Sequence, residues 1–266
     1  MRKLASLTFL LFLGILYPFY GHTAKANEIE KPVIIIIIDD IGYRMREDLR
    51  AIGLPGQVAF AIMPHSPHAR QMSALANEMG KDVLLHMPMQ ALEENKNKFL
   101  GPGALTLQMT HEEFIHTLES SLRSVPHASG VNNHMGSLLT QHPGHMNWLM
   151  ESLKSQNKFY IDSVTSGNSI AADVAKELQL PYLRRDVFLD NIQSESKIQI
   201  QFDELIAIAK RNGVAVAIGH PYPRTLSVLS KNLQLLDMHG VKLISPRQML
   251  ARKKDEISYR KVSLRH

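Results

Sequence analysis

Short apolar runs alternate with longer amphipathic segments from residue 31 onward. Continuous β-branched runs are typical of strands buried on both faces, whereas apolar residues at every third or fourth position are typical of helices packed on a sheet. This alternation predicts a mainly parallel sheet or barrel. The predicted strands are 33–38, 58–63, 82–86, 128–134, 159–162, 182–188, 214–218 and 241–245, and the predicted helices are 66–80, 110–123, 145–157, 170–178, 203–211 and 225–238.

Local signals fix several helix ends. Ser66 followed by Pro67 predicts an N-cap with proline at the first helical position. Thr110 with Glu113 predicts a capping box, and Gly213 predicts the end of the helix before it. No composition break interrupts the alternation, so a single domain over residues 27–250 is expected. Its length suits a closed or nearly closed (β/α) barrel.

The first 26 residues have the layout of an export signal. Arg2 and Lys3 are followed by an apolar run over residues 4–20, and Ala24 and Ala26 supply the small residues of a cleavage site. An uncleaved membrane anchor is the alternative, because about 17 apolar residues is the lower limit for a span. Cleavage would leave a periplasmic or extracellular protein without a stable membrane span.

Charge and cysteine usage narrow the function classes. The formal charge of +5 falls to +2 once residues 1–26 are removed, since they hold three basic residues and no acid. No basic cluster is interleaved with aromatic residues, so no nucleic-acid partner is expected. The basic stretch 251–266 is predicted to be a solvated tail. The absence of cysteine excludes a disulfide framework and a lipoprotein anchor on this chain.

Polar residues follow most of the predicted strands. Because the carboxyl ends of parallel strands lie at one face, these side chains are expected to converge. A set of one aspartate with two histidines suits zinc and related divalent metals, with open positions left for water and substrate. Of two adjacent aspartates, one would bind the metal and the other would accept a proton from water. The residues at the strand ends are Asp39, Asp40, His86, Asn132, Asn133, His134, Asp162, Ser163, Arg184, Arg185, Asp186 and His220.

Six sequence motifs contain these strand-end residues and occur in the order of a known protein family. IIDDIG, LLHMPM, GVNNHMGS, FYIDSVTS, RRDVFLDN and AIGHPYPRT together resemble the divergent polysaccharide deacetylase family of the NodB-like carbohydrate esterase superfamily. The resemblance covers roughly residues 31–250. It implies an α/β fold, a distorted (β/α) barrel of about seven parallel strands, and a glycan substrate.

The resemblance also implies a division of roles at the metal. Asp39 would be the general base, whereas Asp40 and His86 would be ligands of a divalent metal, with zinc expected. The superfamily places a second histidine four residues after the first, but this chain has Gln90 there. His134 is therefore the expected third ligand.

The later motifs imply the remaining site residues. His220 would be the general acid, and Asp162 would fix its orientation and raise its pKa. Arg185 and Asp186 are expected to contact substrate or to orient the base. Tyr222, just beyond His220, is expected to contact the sugar.

Two function classes follow from this resemblance. The first is an exported, metal-dependent hydrolase that removes N-acetyl groups from a polysaccharide or cell-wall glycan. The alternative is a catalytically silent glycan-binding or envelope-assembly factor on the same fold, because Gln90 departs from the ligand pattern. A phosphoesterase is disfavoured, since no glycine-rich phosphate cradle is present.

Overall fold

Parallel strands form one curled sheet at the centre of the computed structural model, which describes residues 31–253. The strands are β1 (Val33–Ile41), β2 (Ala59–Ile62), β3 (Val83–Met89), β4 (Ala128–Met135), β5 (Phe159–Asp162), β6 (Tyr182–Arg184), β7 (Val187–Phe188), β8 (Val214–Gly219) and β9 (Lys242–Leu243). The helices are α1 (Met45–Ile52), α2 (Ala69–Glu78), α3 (His111–Ser124), α4 (Pro143–Ser155), α5 (Ala171–Glu177), α6 (Glu195–Asn212), α7 (Pro223–Asn232) and α8 (Leu236–His239). Short 3-10 helices cover Glu94–Phe99, Leu139–Gln141 and Leu233–Leu235, and a last helix covers residues 246–253.

The sheet has the strand order β6-β5-β4-β3-β2-β1-β8-β7, with β9 beside the start of β1. It curls into a barrel with a seam between its two edge strands, β6 and β7. Only Arg185 and Asp186 separate β6 from β7, which lie at opposite ends of that order. The Arg185 N–H donates to the Asp162 carbonyl on β5, and the Asp186 N–H donates to the Val216 carbonyl on β8. The two edges therefore meet at this link. The predicted fold class is confirmed, but the single strand predicted at 182–188 is wrong.

Strand β1 is buried on both faces, which explains its unbroken apolar sequence. Ile34, Ile36 and Ile38 pack outward under the helices, whereas Ile35 and Ile37 pack into the barrel interior. Each buried isoleucine contributes about 1.5–3 kcal/mol of transfer free energy. The two layers make β1 a rigid support for the residues that follow it.

The barrel interior is filled by side chains and closed at its amino-terminal end. Phe159 lies inside, against Gly130, where an added Cβ would approach the ring to 2.5 Å. Ile244 and Met249, from the segment after β9, join the same interior cluster. The open end is therefore the carboxyl-terminal one, where the predicted site residues lie.

Two of the three predicted helix ends are confirmed. Thr110 and Glu113 exchange side-chain-to-backbone hydrogen bonds at the start of α3, and Gly213 ends α6 in the left-handed conformation, with φ of 82°. The N-cap predicted at Ser66 is wrong, because α2 begins at Ala69 and the Ser66 hydroxyl donates to the Met63 carbonyl.

The predicted export signal, residues 1–26, lies outside the described residues, as does most of the predicted basic tail at 251–266. Within residues 31–253, no helix combines the length and the apolar character needed to cross a membrane.

Candidate metal and acid–base site

A bulge at the end of β1 turns two adjacent carboxylates toward one cluster. Pairing with β2 slips between Ile38 and Ile41, and Asp40 takes the left-handed conformation, with φ of 58°. Neighbouring side chains on a regular strand point to opposite faces, and the extra residue of a bulge removes that constraint. Asp39 Oδ2 and Asp40 Oδ1 consequently lie 3.6 and 3.3 Å from His86 Nε2.

The three predicted metal ligands meet in space. His134 Nδ1 lies 3.1 Å from Asp40 Oδ1 and 3.1 Å from His86 Nε2. In the β3–β4 ladder His86 is paired with Asn132, and His134 follows two residues later on β4, on the same side of the strand. Asp40, His86 and His134 thus present one ligand atom each within 4.8 Å of one another.

Gln90 does not take part in this cluster. Its Oε1 accepts a hydrogen bond from the Leu107 N–H at 2.8 Å, and its backbone N–H donates to the Leu105 carbonyl. Gln90 therefore holds the loop between β3 and α3. His134, on the neighbouring strand, instead brings a third potential ligand atom to the cluster.

The ligand atoms fit a shared divalent cation. Oδ1 of Asp40 is buried and, among the described residues, receives no hydrogen bond of standard geometry although two imidazole nitrogens face it. Tetrahedral zinc with bonds near 2.0–2.1 Å keeps its ligand atoms about 3.3 Å apart, close to the observed separations. His86 Nδ1 lies 2.9 Å from Asn132 Oδ1, which leaves its Nε2 lone pair for the cluster.

The two aspartates differ in acidity. Burial opposes ionisation of Asp40, but the His134 and His86 imidazoles that face its carboxylate outweigh that effect and hold the pKa of Asp40 well below its usual value. For Asp39, burial dominates and raises the pKa, against the charges of His86 and His220 and a hydrogen bond from Asn132. Asp40 is therefore the more acidic of the two carboxyls, whereas Asp39 holds a proton more readily.

His220 faces the cluster from the end of β8. Its Nε2 lies 3.8 Å from Asp40 Oδ2, and its Nδ1 lies 2.9 Å from Asp190 Oδ1. Asp190 Oδ2 also accepts hydrogen bonds from the His220 N–H and from the Thr225 hydroxyl. Burial lowers the pKa of His220, but the Asp190 hydrogen bond and the charges of Asp40, Asp190 and Asp39 raise it overall to about 9.

The predicted contact between Asp162 and His220 is wrong. Phe159 and Ile161 point into the barrel, so the alternation of β5 turns Asp162 to the outer face together with Tyr160. There its carboxylate accepts hydrogen bonds from the Val164 N–H and the Ser169 hydroxyl.

Sequence reasoning missed Asp190 as the partner of His220. The Leu189 N–H donates to the Ile218 carbonyl, which extends the β7–β8 pairing to the level of His220. Asp190 belongs to the RRDVFLDN motif, and its position two residues after Phe188 places it on the same strand face. This two-residue spacing along the strand was the signal from which Asp190 could have been predicted to face His220.

Neither Arg185 nor Asp186 hydrogen-bonds to a residue of the cluster, although the charge of Asp39 acts on the Arg185 guanidinium. Arg185 donates from Nε to the Ser163 carbonyl and from Nη2 to the Val164 carbonyl, and so holds the loop after β5. Asp186 Oδ2 accepts from the Val216 N–H, four residues before His220 and hence about 13 Å down β8. The prediction that Asp186 contacts substrate or the base is not supported by this position.

Tyr222 borders the cluster beside His220. The two ring centroids are 5.3 Å apart with an interplanar angle of 30°, and the Arg44 guanidinium lies 5.3 Å from the Tyr222 ring on the exposed rim. Burial and the charges of Asp40 and Asp190 raise the pKa of the Tyr222 phenol. Its contact with substrate stays a prediction.

Residues 36–250 match the family model described as divergent polysaccharide deacetylase. Two curated relatives are an uncharacterized protein, YibQ, of Escherichia coli strain K12, 38% identical over 198 residues, and an uncharacterized protein of Haemophilus influenzae, 36% identical over 234 residues. These alignments cover 74% and 88% of this chain and 61% and 80% of the relatives. The chain thus spans less than two thirds of the Escherichia coli relative.

Solved structures share the fold at low sequence identity. An uncharacterized Agrobacterium tumefaciens protein superposes with a TM-score of 0.77 at 21% identity, covering 81% of this chain and 87% of the other. The catalytic domain of a peptidoglycan N-acetylglucosamine deacetylase from Eubacterium rectale gives 0.54 at 14%, covering 84% and 92%. A CE4 family pseudoenzyme from Bacillus anthracis gives 0.50 at 10%, covering 83% and 66%, and a mutant of it with restored activity is also solved.

Proposed function

Because the chain belongs to the divergent polysaccharide deacetylase family, we propose that it is a metal-dependent hydrolase that removes N-acetyl groups from an exported polysaccharide or cell-wall glycan. The observation that carries this proposal is the meeting of Asp40, His86 and His134 beside a second carboxylate, Asp39, and an imidazole held by Asp190. Amide hydrolysis needs these three functions: an electrophilic centre, a base and an acid.

Asp40, His86 and His134 would hold the divalent cation, with zinc as the expected ion. When bound, the cation supplies Lewis-acid polarisation of the acetyl carbonyl and neutralises part of the negative charge of the site. The imidazoles bind metal only in the neutral form, so metal competes with protons at His86, whose pKa the nearby aspartates raise against the effect of burial.

Asp39 would accept the proton of the attacking water. Oδ1 of Asp39 accepts a hydrogen bond from Asn132, whereas Oδ2 faces the cluster. Burial raises the pKa of this carboxyl, which strengthens it as a base, while the charge of His220 and the hydrogen bond from Asn132 act in the opposite direction and keep it ionisable.

His220 would donate a proton to the departing nitrogen. Asp190 accepts a hydrogen bond from Nδ1–H of His220, so the Nε2–H of the imidazolium points to the cluster. Water adds to the acetyl carbon, the C–N bond breaks, and acetate leaves together with a protonated amine. Asp190 is then the residue that keeps the acid oriented through the cycle.

The proposed location is the periplasm or the extracellular space. The predicted signal at residues 1–26 supports it, and so does a glycan partner that lies outside the cytoplasm. The low charge of the chain after removal of that segment supports a glycan rather than a nucleic acid.

A silent glycan-binding or envelope-assembly factor is the second candidate. Gln90 stands where the superfamily has a ligand, and the same fold occurs in the Bacillus anthracis pseudoenzyme. Such a factor would keep the barrel and its rim for glycan binding but would not hydrolyse the glycan.

The deciding experiment is acetate release from N-acetylated glycan fragments by the metal-replete protein. A panel of peptidoglycan and exopolysaccharide fragments is used, with chelator-treated protein as a control. Release that disappears on chelation and returns with zinc supports the hydrolase. Tight glycan binding without acetate release from any fragment favours the silent factor.

A further inference from the structure

The side chain of Asn132 contacts both the proposed base, Asp39, and the proposed metal ligand, His86. It is fully buried in the middle of β4, and its amide lies between β1 and β3 side chains. Oδ1 is 2.9 Å from His86 Nδ1, while Nδ2 donates to Asp39 Oδ1 at 2.8 Å and to the Ser163 hydroxyl at 3.3 Å. Among the described residues, no other side chain hydrogen-bonds to both Asp39 and His86.

We propose that Asn132 is a positioning residue that couples the base to the metal ligand through the two ends of one amide. The inference rests on the proposed function, because Asp39 and His86 have these roles only in that reaction. Asn132 touches neither substrate nor metal; it acts through its two neighbours.

The chemistry of the amide fixes its orientation. A carboxylate oxygen requires a donor, so the NH₂ end must face Asp39 and the carbonyl end must face His86. The reversed amide would oppose two oxygens at 2.8 Å and would force the proton of His86 onto Nε2. In the observed orientation Nδ1–H of His86 donates to the carbonyl, and the Nε2 lone pair points at Asp40 and His134.

The same amide leaves one oxygen of Asp39 free. Nδ2 occupies Oδ1 of Asp39, and Oδ2 is the oxygen directed at His86 and the open end of the barrel. One planar group thereby selects the tautomer of the ligand and the reactive oxygen of the base.

The next residue, Asn133, offers a matched control. It is also buried, but its side chain points to the other side of β4. Its Oδ1 accepts from the Tyr160 hydroxyl and the Ser163 N–H, and its Nδ2 donates to the Met135 carbonyl. Asn133 bonds to neither Asp39 nor His86, so its loss tests the cost of removing a buried amide from this strand.

The test uses Asn132→Asp, Asn132→Leu and Asn133→Leu in the full chain. Zinc affinity is measured by competition with a chromophoric chelator, acetate release on the best glycan fragment, and folding by thermal unfolding. Asn132→Asp keeps an acceptor for His86 but replaces the amide donor to Asp39 by a second carboxyl, so that the two carboxyls repel each other or share a proton and Asp39 is lost as a base. We expect it to bind zinc no more weakly than about threefold below wild type while acetate release falls about 100-fold or more.

Asn132→Leu removes both bonds. We expect its zinc affinity to fall about 10- to 100-fold, as for loss of a hydrogen-bond partner behind a metal-bound histidine. Asn133→Leu should unfold at a lower temperature yet keep zinc affinity within about threefold of wild type.

Any of four results would overturn the proposal. The first is a folded Asn132→Leu protein that binds zinc as tightly as wild type, and the second and third are an Asn132→Asp protein that loses zinc or that keeps full acetate release. The fourth is an Asn133→Leu protein whose zinc affinity falls as much as that of Asn132→Leu. Asn132→Asp also decides the matter where the leucine variant does not fold. Failure of the proposed function looks different, because wild type itself would then release no acetate while the zinc comparison still tests the bond to His86.

Discussion

The two ends of the barrel handle buried polar groups in opposite ways. At the amino-terminal end, Ile244 and Met249 form an apolar plug, and the buried carboxylate of Asp82 accepts hydrogen bonds from Nε and the backbone N–H of Arg247. At the carboxyl-terminal end, Asp39 and Asp40 face His86 and His134, and Oδ1 of Asp40 accepts no hydrogen bond from the described residues. The first arrangement stabilises the fold by itself, whereas the second offers ligand atoms for the divalent cation that we propose.

Residues at the amino-terminal end stabilise the fold, whereas those at the carboxyl-terminal end are the ones proposed to carry the chemistry. Unpaired buried charge is costly, and strand ends that converge on one cleft are where a parallel barrel places catalytic groups. Substitutions at the amino-terminal end should change the free energy of unfolding alone. Substitutions at the carboxyl-terminal end should change metal binding or turnover with smaller effects on folding.

The largest effect is expected from removing a ligand, tested with His134→Ala and its control Gln90→Ala. Loss of the His134 nitrogen leaves two protein ligands, so zinc affinity should fall by at least about 100-fold, with acetate release lost in parallel. Gln90→Ala should bind zinc like wild type, because its side chain bonds to Leu107 and not to the cluster. Equal zinc affinity of His134→Ala and wild type, measured by chelator competition, would remove His134 from the ligand set.

A smaller effect is expected from Asp190→Asn, compared with Asp162→Asn. The amide can still bond to His220, but it no longer provides the charge that favours the imidazolium, so kcat should fall about 100-fold with KM little changed. Asp162→Asn should leave kcat unchanged and lower only the melting temperature, because Asp162 bonds to the loop at Val164 and Ser169. If Asp162→Asn were the more damaging to kcat, the assignment of Asp190 to His220 would be reversed.

The smallest effect on the site is expected from Met249→Ala at the opposite end. Removing this buried side chain should cost about 2–3 kcal/mol in the free energy of unfolding, through lost transfer energy and a residual cavity. Zinc affinity and kcat, measured well below the melting temperature, should match wild type. A change of zinc affinity beyond about threefold would show that the two ends are not independent.

Features set by local chemistry could be predicted from the sequence. The run of isoleucines identified β1, the interval 159–162 matched β5, and the capping box at Thr110 was read from four residues. The convergence of Asp40, His86 and His134 was expected because the carboxyl ends of parallel strands lie at one face, whereas their assignment as metal ligands came from the family resemblance. Helix α1 was not predicted, because its start depends on a buried side chain inside the helix. That side chain is Asp48, whose carboxylate accepts hydrogen bonds from the Gly42 and Arg44 N–H groups.

Features set by long-range pairing could not be predicted. Residues 182–188 read as one strand because nothing local signals that β6 and β7 pair with opposite edges. The parity of Asp162 on β5 was an available signal, but the partner of His220 also depends on the extension of the β7–β8 ladder to Leu189. The seam therefore explains the error at 182–188, whereas Asp162 was misassigned because the alternation of side chains along β5 was not applied.

The adjacent aspartates of β1 are proposed to have different roles, and zinc stoichiometry measured together with acetate release for Asp39→Asn and Asp40→Asn separates these roles. Asp39→Asn should retain one zinc per chain and lose acetate release by about 1000-fold, since only the base is removed. Asp40→Asn should lose both zinc and acetate release. An Asp39→Asn protein that releases acetate at the wild-type rate, or an Asp40→Asn protein with full zinc, would contradict the account.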